Sequence, residues 1–275
     1  MSAAVAHAPD NGVLLEARRI TRRFGGLVAV DDGDIAVREG TIHGLIGPNG
    51  AGKTTLLNLI AGVFPATTGA LQFRGSDITR SAAAERARGG IRRTFQNLKL
   101  FHDMTALENT SIGVHAETRA GMFDAVVHSP RHRREERDIV ARAAAALDFV
   151  GLAAFAHARA STLAYGHRRL LEIARAIVAR PALLLLDEPA AGLNKTEAVS
   201  LTGLIRRIRD AGTTILLVEH HMDVVMSVCD EITALNHGRR LAHGRPAQIQ
   251  DDAAVIEAYL GRGDALPAAD GHAQA

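Results

Sequence analysis

The sequence predicts an α/β fold with parallel strands at its centre, and three observations carry that prediction. Bounded apolar runs of strand length recur around Ile42, Leu45 and Ile46, at Leu183-Leu184-Leu185-Leu186 and over 213–218. Their lack of polar alternation is the mark of strands buried on both faces. Helical spacing follows two of them, at 56–60 and 201–209, the order expected of strand–helix units. Finally, 47% hydrophobic residues with only 4% aromatics and no Trp suit Ala- and Leu-rich helices packed on a sheet.

Residues 1–12, with Pro9, Asp10, Asn11 and Gly12, are expected to be a loose leader. Apolar clustering over 14–20 and 34–37 predicts strands, and Glu39-Gly40 a turn into the strand at 42–46. The segment 62–65 ends the first helix, and 69–73 predicts another strand. From 81 to 180 strand signals disappear and alanine-rich helical periodicity takes over, the pattern of a helical insertion into an α/β core. Within it, 131–138 places Arg131 with Glu135 and Arg134 with Asp138 at i,i+4, as on a solvated helix face. Beyond the strands at 181–189 and 213–218, the segments 232–235 and 238–244 predict a terminal strand pair, and 252–260 a short helix. The tail from Gly261, rich in Ala, Gly and Asp, is expected to be disordered.

Gly47-Pro48-Asn49-Gly50-Ala51-Gly52-Lys53-Thr54-Thr55 fits G-x-x-x-x-G-K-[ST] at every fixed position, between a predicted strand and a predicted helix. Glycines let the backbone form a concave nest whose N–H groups point at phosphate oxygens, and a side chain there would crowd the ligand. The helix that follows offers its positive end to the same anion. Lys53 reaches the β- and γ-phosphates and the Thr54 hydroxyl ligates Mg²⁺. This pattern predicts a nucleoside-triphosphate-binding protein.

Asp187 follows four leucines at the C-terminal end of a strand, where α/β sheets bind ligands. It is placed to anchor Mg²⁺, and Glu188 to deprotonate an attacking water. Phe24 is a candidate to stack on a base, though a lone Phe is more often core. His220-His221 beside Glu219 suggests a metal site, but with no third ligand elsewhere at plausible spacing and a single Cys in the chain that reading is poor. A net charge of +2 gives no basic stripe for nucleic acid, and the single cysteine, Cys229, excludes an internal disulfide. The first residues do not show the basic-then-apolar pattern expected of a signal peptide, and no apolar run approaches the ~18 residues of a membrane helix. The nearest, 139–156, contains Arg142 and Asp148. A soluble, cytoplasmic protein is expected.

Taken together, these motifs resemble the ATP-binding subunits of ABC transporters, from about Leu14 to Leu260. The phosphate loop comes first; Gln96 in Arg93-Thr94-Phe95-Gln96-Asn97 looks like the glutamine loop, which in the family links metal and water to the membrane partner. Leu163-Ala164-Tyr165-Gly166-His167 looks like the signature motif. Asp187 and Glu188 follow, and His220 looks like the switch histidine that contacts the γ-phosphate. The resemblance implies an α/β P-loop NTPase (RecA-like) parallel-sheet core with an antiparallel β subdomain and a helical subdomain inserted at about 97–180. It implies one such domain over 13–261 between flexible tails, with ATP and Mg²⁺ as cofactors, Thr54, Gln96 and Asp187 serving the metal. It also implies that two subunits sandwich two ATP molecules, each γ-phosphate meeting one phosphate loop and the opposite signature helix.

The subgroup it looks most like imports branched-chain and other hydrophobic amino acids. Leu-Ala-Tyr-Gly, Arg-Thr-Phe-Gln, Ala190-Ala191-Gly192-Leu193-Asn194, the 121–123 region and the closing Val255-Ile256-Glu257-Ala258-Tyr259-Leu260-Gly261 carry that likeness. Implied partners are membrane permease subunits, an extracytoplasmic solute-binding protein, and a second copy or a related ATPase subunit. Implied too is a peripheral place on the cytoplasmic face of the membrane. An ATPase for a lipid or lipopolysaccharide exporter is the alternative; a soluble ABC ATPase on ribosomes or nucleic acid is disfavoured, because the chain has neither a second core nor basic arms. The sequence departs from the family's pattern in places. Ala164 lacks a serine hydroxyl, Tyr165 replaces a glycine, and His167 stands where the subgroup usually has Gln. Asn194 stands for a frequent Asp, Lys195 for Pro, and Phe24 for the frequent base-stacking Tyr. None removes a phosphate ligand or the base. His167 has two readings: a charge near the partner's nucleotide that makes hydrolysis pH-sensitive, or a residue that packs or caps, which is favoured.

Overall fold

A computed structural model describes residues 12–94, 98–114 and 130–260. The chain opens with strands β1 (Val13–Phe24), β2 (Leu27–Arg38) and β3 (Ile42–Ile46), helix α1 (Lys53–Ala61), and strands β4 (Thr68–Phe73) and β5 (Ser76–Asp77). It continues through α2 (Ala83–Arg88), β6 (Ile91–Arg93), α3 (Ala106–Ile112), α4 (Pro130–Phe149), α5 (Tyr165–Ile177) and β7 (Leu183–Asp187). It closes with α6 (Lys195–Asp210), β8 (Thr214–Val218), α7 (Met222–Val228), β9 (Glu231–Asn236), β10 (Arg239–Gly244), α8 (Pro246–Gln250) and α9 (Ala253–Leu260). The described residues make two compact units, one of residues up to 81 together with those from 220 on, and one of those between 82 and 219.

The first unit holds an antiparallel sheet of order β2-β1-β4-β5. β1 and β2 form a long hairpin from Val13↔Arg38 to Phe24↔Leu27, turned at Gly25 with φ 57. The same unit contains β3, buried at all five residues, pairing in parallel with β9. Asp230 fixes that register from both sides: its N–H donates to the Ile42 carbonyl at 2.8 Å, and its Oδ2 accepts the Ile42 N–H at 2.8 Å. β10 adds antiparallel to β9. α9 packs on β10 and α8.

The second unit is built on three parallel strands, β6, β7 and β8, in register from Ile91↔Leu183 and Leu183↔Thr214 onward. β7 and β8 are buried at every residue, which is why each is dominated by an apolar run, 183–186 and 215–218. Helices α3, α4 and α5 pack together, with Val114, Ala143, Ala146 and Val178 at the centre of their contact. Small alanines at two of those positions let the helices approach closely. On α4, Arg134, Glu136, Arg137 and Asp138 are exposed, as expected of the charge run. No helix among the described residues is long and apolar enough to cross a membrane.

The expectation that strand signals vanish between 81 and 180 is corrected by β6. It has three residues, of which only Ile91 is fully buried, while Arg92 and Arg93 turn their side chains to hydrogen bonds. A strand so short and basic leaves no periodicity to read; its identity comes from its partner β7. The short helices α7 and α8 also carry no pattern of their own. The tails, the 121–123 region and Gln96 lie outside the described residues.

Candidate functional site

The phosphate loop lies in the first unit, between β3 and α1. Gly52, with φ 98, is the N-cap of α1; no side chain caps that helix and no acidic residue sits in its first turn. The helix end therefore keeps its amides and its positive dipole for an outside anion. Packing explains two of the loop glycines differently from the expectation that side chains would crowd the ligand. A Cβ on Gly47 would stand 2.2 Å from the Leu235 carbonyl oxygen, and one on Gly52 would stand 2.5 Å from that of Ala29. These glycines are needed because β9 and β2 press against the loop from the protein side. Gly50, with φ 79, meets nothing within 4 Å and is required by its backbone conformation alone.

The loop is also tied by hydrogen bonds. The Gly238 N–H donates to the Ala51 carbonyl at 2.9 Å, and the Gly47 N–H donates to the Tyr259 hydroxyl at 2.8 Å. Lys53 is buried, and its Nζ donates to the carbonyls of Gly47 at 2.6 Å and Pro48 at 3.2 Å. The ammonium is thus folded over the loop it serves. The Thr54 side chain is exposed, and Pro48, Asn49 and Thr55 complete the motif. Elsewhere in this unit Phe24 is 41% exposed, not core. The Phe64 ring meets it edge-on at 5.2 Å, and the Arg22 guanidinium lies 4.5 Å over it. His220 is exposed, its ring 4.2 Å from that of His221.

The second unit holds the carboxylates and the signature segment. Asp187 ends β7, 2% exposed; its Oδ2 accepts a hydrogen bond from Arg93 at 2.8 Å, while Oδ1 is buried with no hydrogen-bond partner among the described residues. An orphaned buried carboxylate oxygen is costly unless a cation takes it, so the donor set fits a hard ion such as Mg²⁺. Glu188 follows in a left-handed conformation, φ 48, its N–H donating to the Val218 carbonyl at 2.8 Å. Glu219 is fully buried and accepts the Ala190 N–H at 2.8 Å. That bond fixes the turn after Glu188 and occupies the acid that precedes the two histidines.

Leu163 is buried, and Ala164 is the N-cap of α5 with no side-chain cap bond. The Tyr165 hydroxyl accepts from Arg169 Nη2 at 3.1 Å and donates to the Ala191 carbonyl at 3.1 Å. Gly192, φ 76, lets the tyrosine ring lie where a Cβ would meet it at 3.0 Å. A Cβ on Gly166 would stand 2.8 Å from Glu197 Oε1. Tyr165 in place of a glycine thus joins the signature end to the 190–194 turn. His167 packs on the Phe155 ring at 4.6 Å, in keeping with the packing reading. Asn194 caps α6, its Oδ1 accepting the Glu197 N–H at 3.0 Å while Glu197 Oε2 accepts the Asn194 N–H at 2.9 Å. An amide does here what the usual aspartate would.

Sequence reasoning did not single out Arg93, Glu219 or Tyr259 for these contacts. Each lay inside or beside a quoted motif, and only the fold shows which atoms they touch.

A glycine-built phosphate loop between strand and helix, with an acid pair at the end of a buried parallel strand, defines a P-loop nucleoside triphosphatase. The chain belongs to the ABC transporter family and is one of its ATP-binding cassettes, the ATPase that drives transport. The model of that family, described as ABC transporter, matches residues 30–191, and one described as Branched-chain amino acid ATP-binding cassette transporter matches residues 239–265. The High-affinity branched-chain amino acid transport ATP-binding protein BraF of Pseudomonas aeruginosa is 45% identical over 90% of this chain and 98% of its own length. LivG of Escherichia coli, which carries the same description, is 43% identical over the same shares. Among solved structures, the ADP conformation of an ATP-binding cassette of an ABC transporter superposes with a TM-score of 0.79 at 30% identity, covering 91% of this chain and 99% of that one.

Proposed function

We propose that this chain is the ATP-hydrolysing subunit of an importer for branched-chain or other hydrophobic amino acids, working as a pair around two Mg-ATP. The likeness to BraF along 98% of that protein's length carries the cargo assignment. The phosphate loop and the acid pair carry the chemistry.

In this reading the amides from Gly47 to Thr55 and the Lys53 ammonium bind and orient the triphosphate, aided by the positive end of α1. Phe24 stacks on the base. Asp187, Thr54 and Gln96 hold Mg²⁺, which when bound neutralises charge on the β- and γ-phosphates. Glu188 takes the proton of the attacking water, and His220 donates a hydrogen bond to the γ-phosphate. The segment Leu163, Ala164, Tyr165, Gly166 and His167 brings the uncapped first turn of α5 to the nucleotide of a second copy or a related subunit. ATP then holds the two halves together, and its hydrolysis removes the charge that joined them. The subunit sits peripherally on the cytoplasmic face, against permease subunits fed by an extracytoplasmic binding protein.

The test is leucine uptake by vesicles reconstituted with the permease, the binding protein and this chain. Lys53→Ala should reduce both ATP hydrolysis and uptake at least about a hundredfold, the scale expected when a principal transition-state charge is removed. Hydrolysis at the wild-type rate would rule out the phosphate-loop assignment. Wild-type hydrolysis without leucine-stimulated uptake would rule out the cargo.

A further inference from the structure

The closing segment from Val255 to Leu260 is a motif to which the proposed chemistry gives no task. Its helix, α9, buries Val255 and Tyr259 one turn apart. Tyr259 is 8% exposed, and its hydroxyl accepts the N–H of Gly47 at 2.8 Å across 212 residues of sequence.

Gly47 is where β3 becomes the phosphate loop. It is held from three sides: the Leu235 carbonyl forbids any side chain, the Tyr259 hydroxyl takes its N–H, and its carbonyl accepts Lys53 Nζ at 2.6 Å. A buried N–H at this point has to find an acceptor or weaken the state that buries it. The last helix supplies that acceptor. A loop whose first residue is fixed does not have to be ordered by the ligand, so less of the binding free energy is spent on ordering.

We infer that Tyr259 is a positioning residue for nucleotide binding: the C-terminal helix holds the phosphate loop in its ligand-ready form through the Gly47 amide. The inference rests on the reading of that loop as the triphosphate site. It concerns affinity, because the hydroxyl touches the loop from the protein side.

The experiment is Tyr259→Phe in the full chain, which keeps the ring and removes the acceptor. ATP and ADP should both bind about three- to tenfold more weakly, the effect of one buried hydrogen bond. KM for ATP should rise by the same factor, and kcat at saturation should stay within about twofold, the mark of a lost uniform binding contribution. In residue-resolved hydrogen exchange, the Gly47 amide of the wild-type protein should exchange slowly, and about tenfold faster in the variant, with Leu45 in β3 unchanged. Fast exchange of the wild-type Gly47 amide would overturn the inference without any variant. So would unchanged affinity in Tyr259→Phe, or a lower melting temperature with neither affinity nor Gly47 exchange altered, since Tyr259 would then only pack the helix. Lys53→Ala is the control: if it binds ATP normally, the phosphate-loop reading itself fails, whereas with that control negative an unmoved Tyr259→Phe removes this inference alone.

Discussion

Glu188 occupies a backbone conformation that few non-glycine residues adopt, φ 48, directly before Pro189. Such a conformation costs of order 1–3 kcal/mol and persists where the surroundings impose it. Here the Glu188 N–H is bonded to Val218 and the following turn to Glu219. The strain fixes where the carboxylate leaves the chain, which the proposed role as general base would require. Glu188→Gln keeps the shape and the backbone cost, so folding stability should stay within about 0.5 kcal/mol. Removing the base should lower kcat about a hundredfold or more while ATP still binds, and ATP-bound dimers should accumulate. Single-turnover hydrolysis and size-exclusion chromatography in ATP check this. A monomeric variant with wild-type kcat would contradict the assigned base. The acid itself was legible in the sequence because it stands next to Asp187 at the end of a four-leucine run; the positive φ was not, because nothing in Glu-Pro specifies it.

At the scale of elements, what was readable were the runs that pack on both faces. β3, β7 and β8 are each buried throughout, and each stood out as an apolar run. β6 did not, since two of its three residues are arginines whose places are set by β7 and Asp187. Helix ends were partly readable. Asn194 looked like a departure from an aspartate, but the structure makes it one half of a capping box with Glu197. Losing that cap should cost about 1 kcal/mol, so Asn194→Ala should lower the urea midpoint with an unchanged m-value. An unchanged midpoint would mean that α6 does not depend on its cap. The same turn carries Ala191, bonded to Tyr165, so the variant also tests whether that contact survives a frayed α6.

At the scale of the whole molecule, a buried imidazole contributes to stability against acid. His43 on β3 is fully buried, bonded through Nε2 to the Thr233 hydroxyl at 2.8 Å and stacked on His243. Burial pushes its pKa down to about 3, with the His243 charge adding to the effect. Unfolded, the same group titrates near 6.5. Between these values the unfolded chain binds a proton that the folded chain refuses. The stability linked to His43 is therefore complete above about pH 6.5 and lost as the pH falls towards 3, by up to about 1.4 kcal/mol per pH unit. Denaturant unfolding at a series of pH values should show this slope, and His43→Leu should flatten it whatever its effect on absolute stability. An identical slope in both proteins would refute the role.

What the sequence could not convey at this scale is contact between distant segments. The loop motif predicts a phosphate nest, yet the atoms that hold it open belong to Ala29, Leu235, Gly238 and Tyr259. No local pattern announces a partner two hundred residues away.

The chain has two tyrosines and no tryptophan. One hydroxyl is bonded at the phosphate loop and the other at the signature end. Ultraviolet emission from the unlabelled protein therefore comes from these two places, and Tyr259→Phe or Tyr165→Phe would leave one lamp burning at a time. Nucleotide titrations followed by that light would report on each end separately, with no dye attached.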